Sequence, residues 1–245
     1  MYASPISRSL LLSMLVSASA SAQRASSNDS STTFTAELLR RSTASVAVVQ
    51  SRPQGVFGDR VGLGYGASGA YQLRLDDDGV WSLRADVGVM SYGGESRRSM
   101  LSEAVGDRVQ VDVETSNYIV PILFGVQLTR PTGAVRPYAN VGGGWQAFFT
   151  ESSVRGTSST LGVASTTNHS AWAPAWTAGG GVAMPVYSGK TSVQLDLGAQ
   201  YVAGGRARYL TTGSIVDLPG GAIRVTPIES ATHLVVVRLG ARISR

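Results

Sequence analysis

Few residues in this sequence could carry group-transfer or hydrolytic chemistry. There is no cysteine, and the only histidines are His169 and His233. Thiol nucleophiles and thiolate metal sites are therefore excluded, and two histidines alone do not make a structural zinc site. A hydrolase or lipid-modifying enzyme needs a base beside a nucleophile or an activated water, and that base is usually histidine. His169 precedes Ser170 directly, but neighbours in sequence do not form a productive pair. His233 reads as a rim residue at the top of the last strand. The expectation is a protein that is not an enzyme and has no cofactor and no metal.

Two short motifs need weighing. Gly64-Tyr-Gly-Ala-Ser-Gly69 matches the glycine spacing of a dinucleotide loop. That reading needs a preceding strand and a following helix, whereas this segment is itself strand-like and runs into a turn. Asp76-Asp-Asp-Gly79 is contiguous rather than alternating, so it reads as a tight hairpin and not as a calcium loop.

The remaining charges fall into two sets. Arg84, Asp86, Asp196, Arg238 and Arg242 all occupy the polar parity of alternating segments. They are expected to face one lumen and to pair there, with Asp196 opposite Arg238 and with Arg84 and Asp86 reaching across. Unpaired charges in a narrow lumen would be costly, and opposite charges facing across an antiparallel pair attract. Arg97, Arg98, Arg206 and Arg208 fall in or beside long connections and are candidate contacts to lipid phosphates, which arginine binds bidentately. The formal charge is +5, but the arginines are scattered, so no nucleic-acid partner is expected.

The elements that hold these residues are read from period-two alternation. Val193, Leu195, Leu197, Ala199 and Tyr201 alternate with Gln194, Asp196, Gly198 and Gln200. Trp81, Leu83, Ala85, Val87 and Val89 alternate with Ser82, Arg84, Asp86 and Gly88. Eight such segments lie at roughly 43–50, 61–75, 80–92, 109–128, 136–150, 171–187, 190–204 and 232–244. Many of them approach or pass the roughly 9–11 residues that a tilted strand needs to cross a bilayer. The connections alternate as well: short at 76–79, 131–135 and 188–189, long at about 51–60, 93–108, 151–170 and 205–231. In outer-membrane barrels the short turns face the periplasm and the long loops face outside. One segment changes parity. Val109, Val111 and Val113 share one face, while Tyr118 to Leu128 place their apolar residues on the other. A bulge near Thr115–Asn117, or a ribbon leaving the membrane there, is expected.

Alternation alone does not separate a soluble barrel from a membrane one. The polar parity here is mostly Gly, Ala and Ser with a few charges, which makes a poor solvated exterior and a good lining for a narrow lumen. The apolar parity of these strands carries no charge, as a lipid-facing surface requires. Tyr71, Trp81, Tyr138, Trp172, Trp176, Tyr187 and Tyr201 lie near strand ends, where an aromatic girdle sits. Charged residues make up 15% of the chain, below the roughly 25% of soluble domains. The fold expected is all-β: a closed antiparallel up-and-down transmembrane β-barrel of about eight strands.

Residues 1–22 read as a signal peptide, with Arg8, an apolar stretch from Leu10 to Val16, and Ala20-Ser-Ala22 as the cleavage site. Residues 23–42 read as a flexible periplasmic lead-in, and 43–245 as the barrel.

The run Asn117 to Leu128 (NYIVPILFGVQL), a short turn, and then Arg136 to Gly144 (RPYANVGGG) resembles the central hairpin of small outer-membrane β-barrels, porin-like domains similar to outer membrane proteins A, X and W. The resemblance spans about residues 43–244. It implies the barrel fold and says little of function. The reading adopted is a monomeric integral protein of the cell outer membrane with a structural or surface-interaction role, an occluded lumen, and outer-membrane lipids and the barrel-assembly machinery as partners. A small-solute porin and a lipid-modifying enzyme are the alternatives. A true channel needs about sixteen strands, whereas side chains fill a barrel of about eight.

Overall fold

The computed structural model describes residues 37–100, 110–156, 162–211, 214–217 and 223–244. The proposed signal peptide, most of the lead-in, and residues 101–109 and 157–161 lie outside the described residues. In chain order the elements are β1 (Ser42–Pro53), α1 (Gly55–Gly58), β2 (Gly64–Arg74), β3 (Trp81–Met100), β4 (Gln110–Thr129), β5 (Arg136–Gly156), β6 (Gly162–Ser188) and β7 (Ser192–Gly204). They continue with β8 (Arg206–Tyr209), β9 (Ile215–Asp217), β10 (Ile223–Val225), β11 (Ile228–Ala231) and β12 (Leu234–Ser244). Eight strands close a barrel in the order β1-β12-β7-β6-β5-β4-β3-β2, every neighbour antiparallel. The eight-stranded up-and-down barrel expected from the alternation is the fold. β8 pairs with β11 and β9 with β10, as two small ribbons inside the 205–231 connection.

Short turns close the end that carries both barrel termini. The Asp76 carboxylate accepts hydrogen bonds from the Val80 and Trp81 N–H groups at 3.1 and 3.0 Å, and Gly79 takes φ +73°. The Asp-rich motif is thus a self-capped hairpin, and a side chain at position 79 would meet left-handed backbone strain. Just before β1, residues 37–40 form a helical turn. Arg41 bridges Glu37 at 2.8 Å and Asp77 at 2.7 Å, fixing the last residues of the lead-in to the turn. The Arg41 guanidinium holds the Glu37 carboxyl below its usual range. That clamp is complete at neutral pH and is lost as pH falls through the lowered carboxyl value.

At the opposite end the strands outrun the expected loops. β3, β4, β5 and β6 contain 20, 20, 21 and 27 residues. The described parts of 93–108 and 151–170 are therefore paired strand, where the sequence suggests loops. The residues there do not alternate sharply enough between apolar and polar to declare a strand.

The register irregularity sits at the expected height, beside Asn117, but on the neighbouring strand rather than on β4. β4 keeps an unbroken register with β5 from Val111–Gly156 to Thr129–Tyr138. The slip is on β3, where Ser91 pairs with Tyr118 and Gly93 with Asn117, leaving Tyr92 as the extra residue. A bulge re-aims side chains, and here Tyr92 is buried against Phe57, ring centroids 5.9 Å apart. The Gly64–Gly69 motif is the first half of strand β2, with Tyr65 to Gly69 paired on both sides.

One parity of each barrel strand faces out and is apolar. Val46, Val48, Leu83, Val87, Phe124 and Val237 are all exposed, as are Trp81 and Tyr187 near strand ends and, in the middle of β6 rather than at the expected strand end, Trp172 and Trp176. The other parity faces a filled interior.

Candidate functional site

The interior divides into two layers by height. The layer near the short turns is polar. β3 supplies Arg84 and Asp86 two residues apart on the inward parity. The Arg84 guanidinium donates to both Asp86 oxygens at 2.7 and 2.5 Å, a bidentate pair within one strand. Arg84 also donates to Gln127 Oε1 at 2.8 Å, and Gln127 donates to Gln72 Oε1 at 3.3 Å.

On the far wall β7 supplies Asp196. The pairing of β12 with β7 sets Gly240 opposite Asp196, so Arg238 and Arg242 lie one step above and one step below it. Arg242 is the close partner, Nη2 to Oδ1 at 2.9 Å, while Arg238 Nε stands 3.8 Å from Oδ2. The direct facing of Asp196 and Arg238 expected from strand heights is thus replaced by a diagonal arrangement shared with Arg242. The link across the lumen is Arg238 Nη1 to Asp86 Oδ1 at 3.6 Å. Arg84, Asp86, Asp196, Arg238 and Arg242 are brought together at one depth.

Tyr138 completes this layer. Its position near the start of β5 suggests a lipid-facing girdle residue, but the ring points inward and is 5% exposed. Its hydroxyl donates to Asp196 Oδ1 at 2.7 Å and accepts from Arg238 Nη2 at 3.1 Å, and the Arg242 guanidinium lies 4.1 Å from the ring centroid. The signal was present in the sequence, because Tyr138 shares the parity of Asn140 and Gly142. Gly181 and Gly198 make room for it. A Cβ at either position would collide with the Tyr138 hydroxyl. Tyr138→Phe removes both hydrogen bonds and leaves charged partners exposed to a dry interior, so a loss of about 1.5–3 kcal/mol is expected. Urea unfolding of the detergent-folded protein reads it, and a change below about 0.5 kcal/mol would show that the hydroxyl contributes nothing.

The upper layer is apolar. α1, in the β1–β2 connection, turns Phe57 into the mouth, where it is fully buried. Tyr209 at the end of β8 packs edge-on to it at 4.7 Å, with Phe148 at 6.1 Å. Met90, Ile119, Leu123, Val202 and Leu234 line the wall around them. The Tyr209 and Ser230 hydroxyls are hydrogen bonded at 2.9 Å, and Thr232 Oγ1 donates to Gln146 Oε1 at 3.1 Å, tying the β8–β11 ribbon to the rim. Phe57 has no periodic signature, because it comes from the β1–β2 connection, whereas Ala207 and Tyr209 alternate with exposed Arg206 and Arg208 on β8. Between the layers the void has a volume of about 20 Å³, room for about one water.

Of the other candidate arginines, Arg206 and Arg208 sit outside the lumen. Arg206 and Arg208, on the exposed face of β8, both pair with Glu229, at 3.3 and 3.1 Å. Arg97 and Arg98 occupy register positions opposite Val113 and Asp112 on the β3–β4 ribbon, and their side chains lie outside the described residues. His169 is paired by backbone with Thr150, and its side chain is likewise outside them. The His233 ring stacks on Tyr201 at 6.0 Å. Among the described residues no three His, Asp or Glu side chains group as a metal site.

No protein-family model and no curated protein sequence matches the chain. Among solved structures it is similar to Neisserial surface protein A, with 12% identity and a TM-score of 0.42 over 83% of this chain and 97% of that one. It is similar to Ail, the attachment invasion locus protein of Yersinia pestis, with 17% identity and a TM-score of 0.38 over 82% and 97%. A major outer membrane protein of Thermus thermophilus gives 13% identity and a TM-score of 0.41 over 82% and 98%. The chain is a closed eight-stranded antiparallel barrel.

Proposed function

We propose that the chain is an integral outer-membrane barrel whose lumen is blocked, and that its role is structural or carried by its outer surface. The observation that carries this reading is the inversion of the two faces. Apolar side chains, Trp176 at 72% exposure among them, cover the outside, while Arg84, Arg238 and Arg242 are each 5% exposed or less inside. In water such a barrel would expose its apolar band and bury its charges, both unfavourable. In a bilayer the band meets hydrocarbon and the lumen charges pair with one another. The two stacked layers argue against the porin alternative, because a solute would have to displace both the aromatic plug and the arginine network. Surface interaction would be carried by the β3–β6 ribbons and the β8–β11 ribbon, with outer-membrane lipids around the band. The barrel-assembly machinery is the partner expected to insert it, and a monomer is the expected state.

Cell fractionation with a heat-modifiability gel tests the membrane reading. The protein should sediment with outer membranes and migrate differently before and after boiling. Recovery in the soluble fraction with a single unboiled and boiled mobility would overturn it.

A further inference from the structure

We propose that the lumen holds one small monatomic anion, of the chloride class, in the void beside Arg238. At the depth of the network three guanidinium groups, on Arg84, Arg238 and Arg242, face two carboxylates, on Asp86 and Asp196. Both carboxylates are already held at short range, Asp86 by Arg84 and Asp196 by Arg242. Arg238 is the cation with only long ion-pair contacts, in a layer that holds one more guanidinium than carboxylates. Its contacts to Asp86 and Asp196, at 3.6 and 3.8 Å, are beyond hydrogen-bond length.

Arginine presents five N–H donors. Arg238 places one on Gln200 Oε1 at 3.2 Å and one on Tyr138 Oη at 3.1 Å, and its Nε–H has no hydrogen-bond partner. The side chain is 5% exposed, so bulk water does not satisfy the remainder. The 20 Å³ void lies against this same residue, with Ser68, Gln200 and Asp86 on its polar side and Val49, Met90 and Leu123 on its apolar side. Its size admits one particle of about the dimensions of water. An uncompensated buried charge is strongly unfavourable, and a neutral water there would leave the excess charge in place. A small anion removes it. Asp86 opposes the anion, but its charge is taken up by the bidentate Arg84 pair.

Crystals grown with bromide in place of chloride test the site. An anomalous bromide peak in the void, in contact with the Arg238 guanidinium, is expected. Water density there without an anomalous signal, or bromide only at surface arginines, would overturn the proposal. Stability supplies a second reading. A ligand bound only by the folded state stabilises it by mass action. The temperature at which the folded gel band is lost should therefore rise with chloride replacing gluconate at fixed ionic strength, and Arg238→Gln should abolish that rise. Equal chloride dependence in the two proteins would contradict the site. Where Arg238→Gln does not fold, the bromide peak in the wild-type protein decides.

Discussion

Asp196→Ala is expected to destabilise the barrel by about 3–5 kcal/mol, the cost of leaving buried charges without their counter-ion. Asp196 is 2% exposed and serves three neighbours: Arg242 at 2.9 Å, Arg238 at 3.8 Å and the Tyr138 hydroxyl at 2.7 Å. Its removal leaves Asp86 as the single carboxylate for three lumen arginines, and Asp86 is already engaged by Arg84. The Arg242 guanidinium is buried, 4.1 Å from the Tyr138 ring centroid. The double change Asp196→Ala with Arg242→Met restores the charge difference to that of the wild type and should recover a large part of the loss. Urea titration of the protein folded in detergent measures both. A single-variant loss below about 1 kcal/mol would mean that water reaches the lumen freely, since exposed pairs are worth about that much.

Phe57→Ala should cost about 3–5 kcal/mol, the usual range for truncating a buried aromatic ring. The ring is fully buried between Tyr92, Phe148 and Tyr209, with centroids 4.7–6.1 Å away, so three edge-to-face contacts go with it. The wall of the barrel is held by backbone hydrogen bonds and cannot collapse into the gap. The effect should be confined to the mouth. Protease cleavage of the β8–β11 ribbon should become faster, because Tyr209 loses its packing partner, while the arginine layer below stays closed. A Phe57→Ala protein with unchanged stability and unchanged protease resistance would contradict the plug.

How much of this was legible in the sequence follows from where each residue lies. The barrel strands were readable, because one face of Val193–Val202 or Trp81–Val89 is apolar and points outward and the other faces a crowded lumen, and period two records that difference. The extensions of β3 to Met100 and of β6 back to Gly162 were not readable, since the pattern fades where the two faces stop differing. The polar parity disclosed the five lumen charges. It did not disclose their pairing, because the stagger of β12 against β7 places Gly240, not Arg238, opposite Asp196. Tyr138 was misassigned by its position near a strand end, although its parity already placed it inside. Phe57 left no trace, since a residue of a connection obeys no period, and the alternation that buries Tyr209 runs over only the four residues of β8.

The most direct test of the filled lumen is planar-bilayer recording of the purified wild-type protein. An interior stacked from an aromatic plug, a void of about 20 Å³ and an arginine–aspartate layer predicts no stable conductance above the bare bilayer. A large, steady, voltage-independent conductance from the folded protein would contradict it and would restore the porin reading.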